Sequence, residues 1–345
     1  MTTLTTKNTI QNRHVHRKKR RSKMMLLLVL FLLLLSSLAL FLGNTIYSPK
    51  VVMQVLLGQS VKGASFAIGT LRLPRLLAAL MVGMAFGISG NTFQTMLRNP
   101  LASPDIIGVT SGTSVAALFC ILVLQISGPI VSFISVVCGI SVALIIYFLS
   151  KGGGFSGGRL ILIGIGIQAM LSAVVSYLLL KASQYDISAA MRWLSGSLNG
   201  IRMNEIPFLA FVLFLCSGII LLLEKQLLML ELGEQTAITL GISTNQVRIL
   251  LVISAVFLIA FSTAITGPIS FVSFLSGPIA TRFVGSGTPK SLASGLIGAI
   301  LVLAADLIGQ FAFDVKFPVG IITGMIGSPY LIFLLIRMNK TGGAV

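Results

Sequence analysis

Apolar runs of about 20 residues recur from one end of this chain to the other, which is the length a helix needs to cross a bilayer. That pattern limits the fold more than any other feature. Of the 345 residues, 55% are hydrophobic and only 10% charged. A soluble chain with so few charges could not cover its own surface. The sequence is that of a polytopic membrane protein.

The net charge of +17 does not point to nucleic acid, because of where it sits. Eight of the 25 Lys and Arg fall in the first 23 residues, mostly in RHVHRKKRRSK, Arg13 to Lys23. Such a flank before an apolar run holds the N-terminus in the cytoplasm and touches anionic lipid. The following run, Met24 to Leu42, is long for a signal-peptide core and lacks a small-residue cleavage site, so it reads as a retained first helix. Cys120, Cys138 and Cys216 lie in apolar runs at spacings that fit neither a metal site nor a disulfide framework. His14 and His16 belong to the basic tail, and no resident metal is expected.

Hydropathy and helix breakers predict an all-α chain with ten spans, at 24–43, 73–96, 106–126, 129–149, 159–181, 204–223, 248–263, 267–284, 291–312 and 318–337. A basic tail, 1–23, precedes a membrane domain, 24–340, with its longest inner loop near 224–248. An even span count puts both termini in the cytoplasm and makes SKGGGFSGGR, Ser150 to Arg159, an inner turn. Outside the tail, nine Lys and Arg fall inside and eight outside, so the tail carries the orientation. Small-residue stretches such as GMAFGISG, Gly83 to Gly90, favour a closely packed bundle. Gly267-Pro268 and Gly277-Pro278 interrupt helix at membrane depth, where irregular backbone must be buried or line a cavity. A pathway through the bundle and a packing kink are both open readings.

TLRLPRLLAALMVG, Thr70 to Gly83, places Arg72 and Arg75 at the outer mouth of the second span, a costly place for positive charge. Pro74 suits the first turn of a helix, where its missing N–H is not needed. Residues three apart share a helix face, so the two guanidiniums can be presented together, to carboxylates of a partner or to lipid phosphate. At the other end of that span, LRNPLASPD, Leu97 to Asp105, contains a helix break at Asn99-Pro100 and a capped helix start at Ser103-Pro104. In the stretch 231–248, Glu231, Glu234, Thr239 and Asn245 alternate with apolar residues, and Gly233 and Gly241 act as breaks. Two short helices lying over a membrane face or docking a soluble partner would both look like this. Asp306 is the one acid well inside a span; with no second acid to relay a proton, a structural hydrogen bond is preferred to an ion route. There is no G-x-x-x-x-G-K-[ST] phosphate loop, so the chain does not hydrolyse ATP itself.

Leu71 to Ser114 resembles the signature region of the permease subunits of iron-siderophore, haem and vitamin B12 ABC importers, FecCD-like chains of the type II importer fold. Leu232 to Arg248 is similar to that family's coupling loop, and Gly267 to Gly285 and Ala304 to Leu335 are similar to its last third. The resemblance implies a ten-helix permease of the bacterial inner or plasma membrane, paired with a second, identical or related, permease subunit. Two ATP-binding subunits would hold the ATP and Mg2+, and an extracytoplasmic binding protein would deliver a ferric siderophore; no cofactor would be bound by this chain. It further implies docking of the binding protein at Arg72 and Arg75, a cytoplasmic gate at Asn99 and Leu101, and ATPase coupling through Glu231, Gly233, Glu234, Leu240 and Gly241. The sequence departs from the pattern at Gln310, where the family often has an arginine; Lys316 is the nearby substitute, with Asp314 beside it. RWLSGSLNG, Arg192 to Gly200, is closer to siderophore permeases than to vitamin B12 ones. A haem or vitamin B12 permease and a proton-coupled carrier stand as the alternatives.

Overall fold

A computed structural model describes residues 2–150, 157–285 and 287–340, with side chains for 19–105, 107–150, 157–285 and 287–337. Most of the Ser150–Arg159 turn and most tail side chains lie outside the described residues. Helix α1 (Thr2–Phe41) carries the basic stretch and the first apolar run on one continuous backbone, and α2 (Pro49–Leu56) is a short amphipathic helix beyond it. The chain continues through α3 (Leu73–Met96), α4 (Val109–Leu118), α5 (Pro129–Ser150), α6 (Gly157–Lys181) and α7 (Gln184–Leu194). Then come α8 (Ile206–Leu222), α9 (Glu224–Glu231), α10 (Glu234–Thr239) and α11 (Thr244–Thr266). The chain closes with α12 (Val272–Val284), α13 (Ser291–Phe311) and α14 (Val319–Lys340).

Among the described residues, eight helical segments are long and apolar enough to span a membrane. The other two expected spans are shorter. The third is a helical run over Val109–Val123, ending in a π-helical turn, Phe119–Val123. The eighth starts at Val272 rather than 267, because Gly267 and Phe271 take positive φ (73° and 65°) and the intervening backbone is not helical. Two elements went unforeseen: α2 and α7 lie between spans and are too short to cross.

The second span also differs from expectation at its start. A π-helical segment, Ser65–Arg72, runs directly into α3, and the Leu73 N–H bonds the Ile68 carbonyl five residues back. Pro74 therefore sits at a π-to-α junction inside a 32-residue helical run, not at a free helix mouth.

Helix α3 is the centre of the bundle: 78% of its apolar window is buried, against 6% for α1, whose leucines face outward. Its closest neighbour is α13, antiparallel to it. A Cβ on Gly83 would come within 2.6 Å of the Gly298 carbonyl oxygen, and a Cβ on Gly87 would overlap the Ser294 carbonyl. Backbone meets backbone along this seam, which only glycine permits. The remaining core wraps α8, α11 and α12 around α3.

The Gly267-Pro268 interruption is filled with protein. Gly196, at φ 63°, lies so close to the Pro268 carbonyl that a Cβ would overlap it. The Ser197 N–H bonds the Thr266 carbonyl at 2.7 Å, and the Gly320 N–H bonds that of Gly196 at 3.1 Å. The SGSL stretch thus plugs back into the bundle and satisfies the backbone that α11 releases. The kink reading holds at this pair, whereas Gly277-Pro278, expected to interrupt helix, lies inside the continuous α12 and lines a cavity.

Replacing Gly87 by Leu is expected to destabilise the protein by about 1–3 kcal/mol or more, because neither backbone of the seam can yield. A clear fall in Tm of the detergent-purified protein is the readout. Gly166→Leu, on α6 where nothing lies within 4 Å of an added Cβ, should melt like the wild type. Equal Tm for both variants would contradict the close seam.

Candidate functional site

At one end of the bundle, Arg72 and Arg75 turn to different partners. The Arg72 guanidinium donates to the carbonyls of Leu40 at 2.7 Å, Phe41 at 3.1 Å and Thr45 at 2.6 Å, and lies 5.0 Å from the centre of the Tyr47 ring. It caps the C-terminus of α1, where a cation meets unsatisfied carbonyls and the negative end of the helix dipole. Arg75 reaches across the seam to Asp306 on α13. Its Nε lies 2.9 Å from Oδ2 and its Nη2 2.7 Å from Oδ1, a bidentate pair, while the Gln310 amide donates to Oδ2 at 2.8 Å. Asp306 is 3% exposed and Arg75 22%.

The expectation that a spacing of three presents both guanidiniums together is thereby corrected. Arg72 ends the π-helical segment and Arg75 belongs to the α-helix, and each is drawn to a different acceptor, the α1 carbonyls for one and the buried Asp306 for the other. The preference for a structural Asp306 agrees with this arrangement. Gln310, at the position of the absent arginine, hydrogen-bonds the same carboxylate. Lys316 and Asp314 are both exposed on the nearby loop.

At the opposite end, α3 unwinds at Arg98 (φ 51°) into a turn built by Asn99. The Asn99 Oδ1 accepts from the Leu101 N–H at 2.9 Å, and its carbonyl accepts from the Ala102 N–H at 3.0 Å. Ser103 caps the next helical turn: its hydroxyl accepts from the Asp105 N–H at 3.3 Å and donates to the Asp105 carboxylate at 2.9 Å. Burial raises the Asp105 carboxyl above its ordinary range, opposed by side-chain hydrogen bonds with Ser103 and Thr110. Asn99 lines two cavities, of about 790 and 530 Å3. Leu101 lines neither; it packs against the cluster of Phe274, Leu275 and Leu334.

Of the two short helices expected in 231–248, only α10 lies there; the other, α9, ends at Glu231, where that stretch begins, and from Thr244 the stretch already belongs to α11. The α9–α10 pair is hinged at Gly233 (φ 115°) and closed by Gly241 (φ 83°). Both angles are ones that a Cβ disfavours, which gives the glycine breaks their reason. Three carboxylates tie the pair down. Glu224 accepts from the Ser291 N–H at 2.7 Å, at the positive end of α13. Glu231 lies 3.5 Å from the Lys290 ammonium, and Glu234 lies 3.4 Å from the Arg248 guanidinium. Outward, Leu232, Ile238 and Leu240 are 65%, 55% and 56% exposed. Three large apolar side chains on short helices beyond the spans form a patch suited to contact with another surface.

Sequence reasoning missed the charge cluster at this end. Arg98, Arg282, Lys290, Arg337 and Glu231 line the larger cavity together, although they come from well-separated stretches of sequence. In the sequence the four cations count only towards topology, and Glu231 only towards the coupling loop. No local spacing could have joined them.

The FecCD transport family matches residues 27–337. Among curated proteins, the chain is 37% identical over 290 residues to the ferric enterobactin transport system permease protein FepG of Escherichia coli (strain K12), covering 84% of this chain and 88% of that protein. It is 34% identical over 303 residues to the Fe(3+)-citrate import system permease protein YfmE of Bacillus subtilis (strain 168), covering 87% and 90%. Among solved structures, it aligns with a metal-chelate type ABC transporter in an inward-facing conformation at TM-score 0.82 and 28% identity, covering 92% of this chain and 99% of that one.

Removing one partner of the Arg75–Asp306 pair leaves a charge in a dry setting, which costs about 3–5 kcal/mol. Arg75→Gln alone should therefore lower Tm sharply, and Arg75→Gln with Asp306→Asn should recover part of the loss. Thermal melting of the three purified proteins tests this. A double variant no better than the single one would contradict the assignment of the pair.

Proposed function

This chain belongs to the FecCD transport family, and on that premise we propose that it is the membrane-spanning subunit of a binding-protein-dependent ABC importer that carries a ferric siderophore into the bacterial cell. It is a multi-pass membrane protein of the family of iron-siderophore and vitamin B12 type permeases. The observation that carries the mechanism is the α9–α10 pair, braced to the bundle by Glu224, Glu231 and Glu234 while holding Leu232, Ile238 and Leu240 outward. A rigidly mounted pair with an apolar tip suits a lever worked by a separate ATP-hydrolysing subunit. Glu231, Gly233, Glu234, Leu240 and Gly241 are its coupling residues.

In this reading both termini and the α9–α10 end face the cytoplasm, which the basic residues concentrated there favour. The opposite end receives the binding protein across Arg72, Arg75 and Lys316. Lys316 is the exposed cation of the three, and capture by Arg75 requires loosening its pair with Asp306. A second permease subunit, identical or related, completes the pathway, and Asn99 and Leu101 form the inner constriction. ATP binding on two partner subunits moves the coupling helices, and the constriction opens towards the cytoplasm. The siderophore assignment draws on relatives whose cargoes are ferric enterobactin and ferric citrate. A carboxylate already bonded to Arg75 and Gln310 is poorly placed to shuttle protons, which favours ATP over proton coupling.

A strain lacking this gene should fail to grow under iron starvation on one class of ferric siderophore. The intact gene should restore growth, and Leu240→Glu should not, because it buries a charge in the ATPase contact. A defect confined to haem or vitamin B12 would move the cargo within the family. Growth unchanged on every iron source would count against the importer.

A further inference from the structure

The larger cavity at the α9–α10 end is built unlike a set of topology charges. Arg98, Arg282, Lys290 and Arg337 line it against one carboxylate, Glu231. Arg282 is laid over the rings of Tyr330 and Phe333, 5.7 Å from each centroid, and the Lys290 side chain is only 11% exposed. A topology signal needs only to sit in a loop near the membrane, and neither constraint serves it.

The inner wall of the same cavity is polar. Asn91 and Thr95 on α3 are 1% and 4% exposed. The Asn91 Oδ1 and the Thr95 hydroxyl have no hydrogen-bond partner among the described residues. A buried polar atom of this kind is destabilising unless something meets it. A lipid headgroup would satisfy the cations, and Leu97, Pro278 and Leu334 could meet part of an acyl chain, but such a chain offers nothing to the Asn91 and Thr95 oxygens. A water-soluble chelate with anionic oxygens for the cations and the Thr95 hydroxyl, and an O–H or N–H for the Asn91 Oδ1, satisfies both layers. About 790 Å3 falls in the range of cavities that hold small molecules.

We propose that this cavity is an anion-receiving vestibule for a polyanionic metal chelate, so that the cargo is an anionic ferric complex of catecholate or carboxylate type and not a neutral hydroxamate. This rests on the importer reading above and narrows it. The cations hold the chelate by charge, while the Thr95 hydroxyl donates to one of its oxygens and the Asn91 Oδ1 accepts from one of its O–H or N–H groups. Coulombic holding of this kind is loose and non-directional, which allows the chelate to leave.

The test uses the permease purified with its ATPase partner in neutral-lipid nanodiscs, without the binding protein. Equilibrium dialysis with radio-iron compares a ferric tris-catecholate with a neutral ferric tris-hydroxamate. The catecholate should bind, should weaken as salt is raised, and should bind about tenfold less to Arg282→Gln with Lys290→Gln. Arg98→Gln is a second variant for use if the double variant does not fold. Equal binding of both chelates, or catecholate binding unchanged by the variants, overturns the proposal. Displacement of the catecholate by added phosphatidylglycerol, with lipid retention falling in the variants, also overturns it and assigns the cavity to a headgroup. ATP-driven uptake by the complete importer separates the two readings. Uptake of a neutral chelate would retain the importer and reject the vestibule, whereas uptake of no chelate would reject the importer.

Discussion

Within a bilayer no water drives helices together, so helices that meet must gain from contact and from the polar groups they satisfy in each other. Helices α3 and α13 do both along one antiparallel seam. Gly83 and Gly87 bring the backbones together in its middle, against Gly298 and Ser294. The Arg75–Asp306 pair closes one end, and Asn91 closes the other by donating to the Ser291 hydroxyl at 3.1 Å. Glu224 then caps that end of α13 from outside. Around this seam α12, α11 and α8 pack on the remaining faces of α3, and α9 is fixed through the start of α13, while α4, α5 and α6 pack on one another and join through α11.

The irregular segments follow from the same constraint. Backbone that leaves a helix at membrane depth needs another partner, and the chain supplies one from a distant stretch of its own sequence. The loop after α7 returns to meet Thr266, Pro268 and Gly320, and glycine stands at each point where a side chain would block the approach. The unwinding below α3 is handled locally, by the Asn99 and Ser103 side chains. Of the two Gly-Pro pairs, Gly267-Pro268 breaks the helix and is packed, while Gly277-Pro278 stays within α12 beside a cavity.

The charges divide in a way that bears on transport. At the end with Arg72 and Arg75, both guanidiniums are held by internal acceptors. At the α9–α10 end, four cations surround a cavity with one acid among them. An importer that must let its cargo go is served by selectivity spread over a cationic wall, since no single ligand then holds the chelate tightly.

Hydropathy alone determined the class of protein, the positions of most spans, the interruption between the sixth and seventh spans and the isolation of Asp306 in a span. These properties are set by neighbouring residues, because the cost of placing a side chain in lipid is paid residue by residue along the chain. Only the tertiary structure decided that Arg72 caps α1 while Arg75 pairs with an aspartate 231 positions away. It also decided that Gly196 meets Pro268, and that Arg98, Arg282, Lys290 and Arg337 share one cavity. Pairing energies depend on which helices become neighbours, and in a bundle this large that choice is made by long-range packing, which leaves no trace in local spacing.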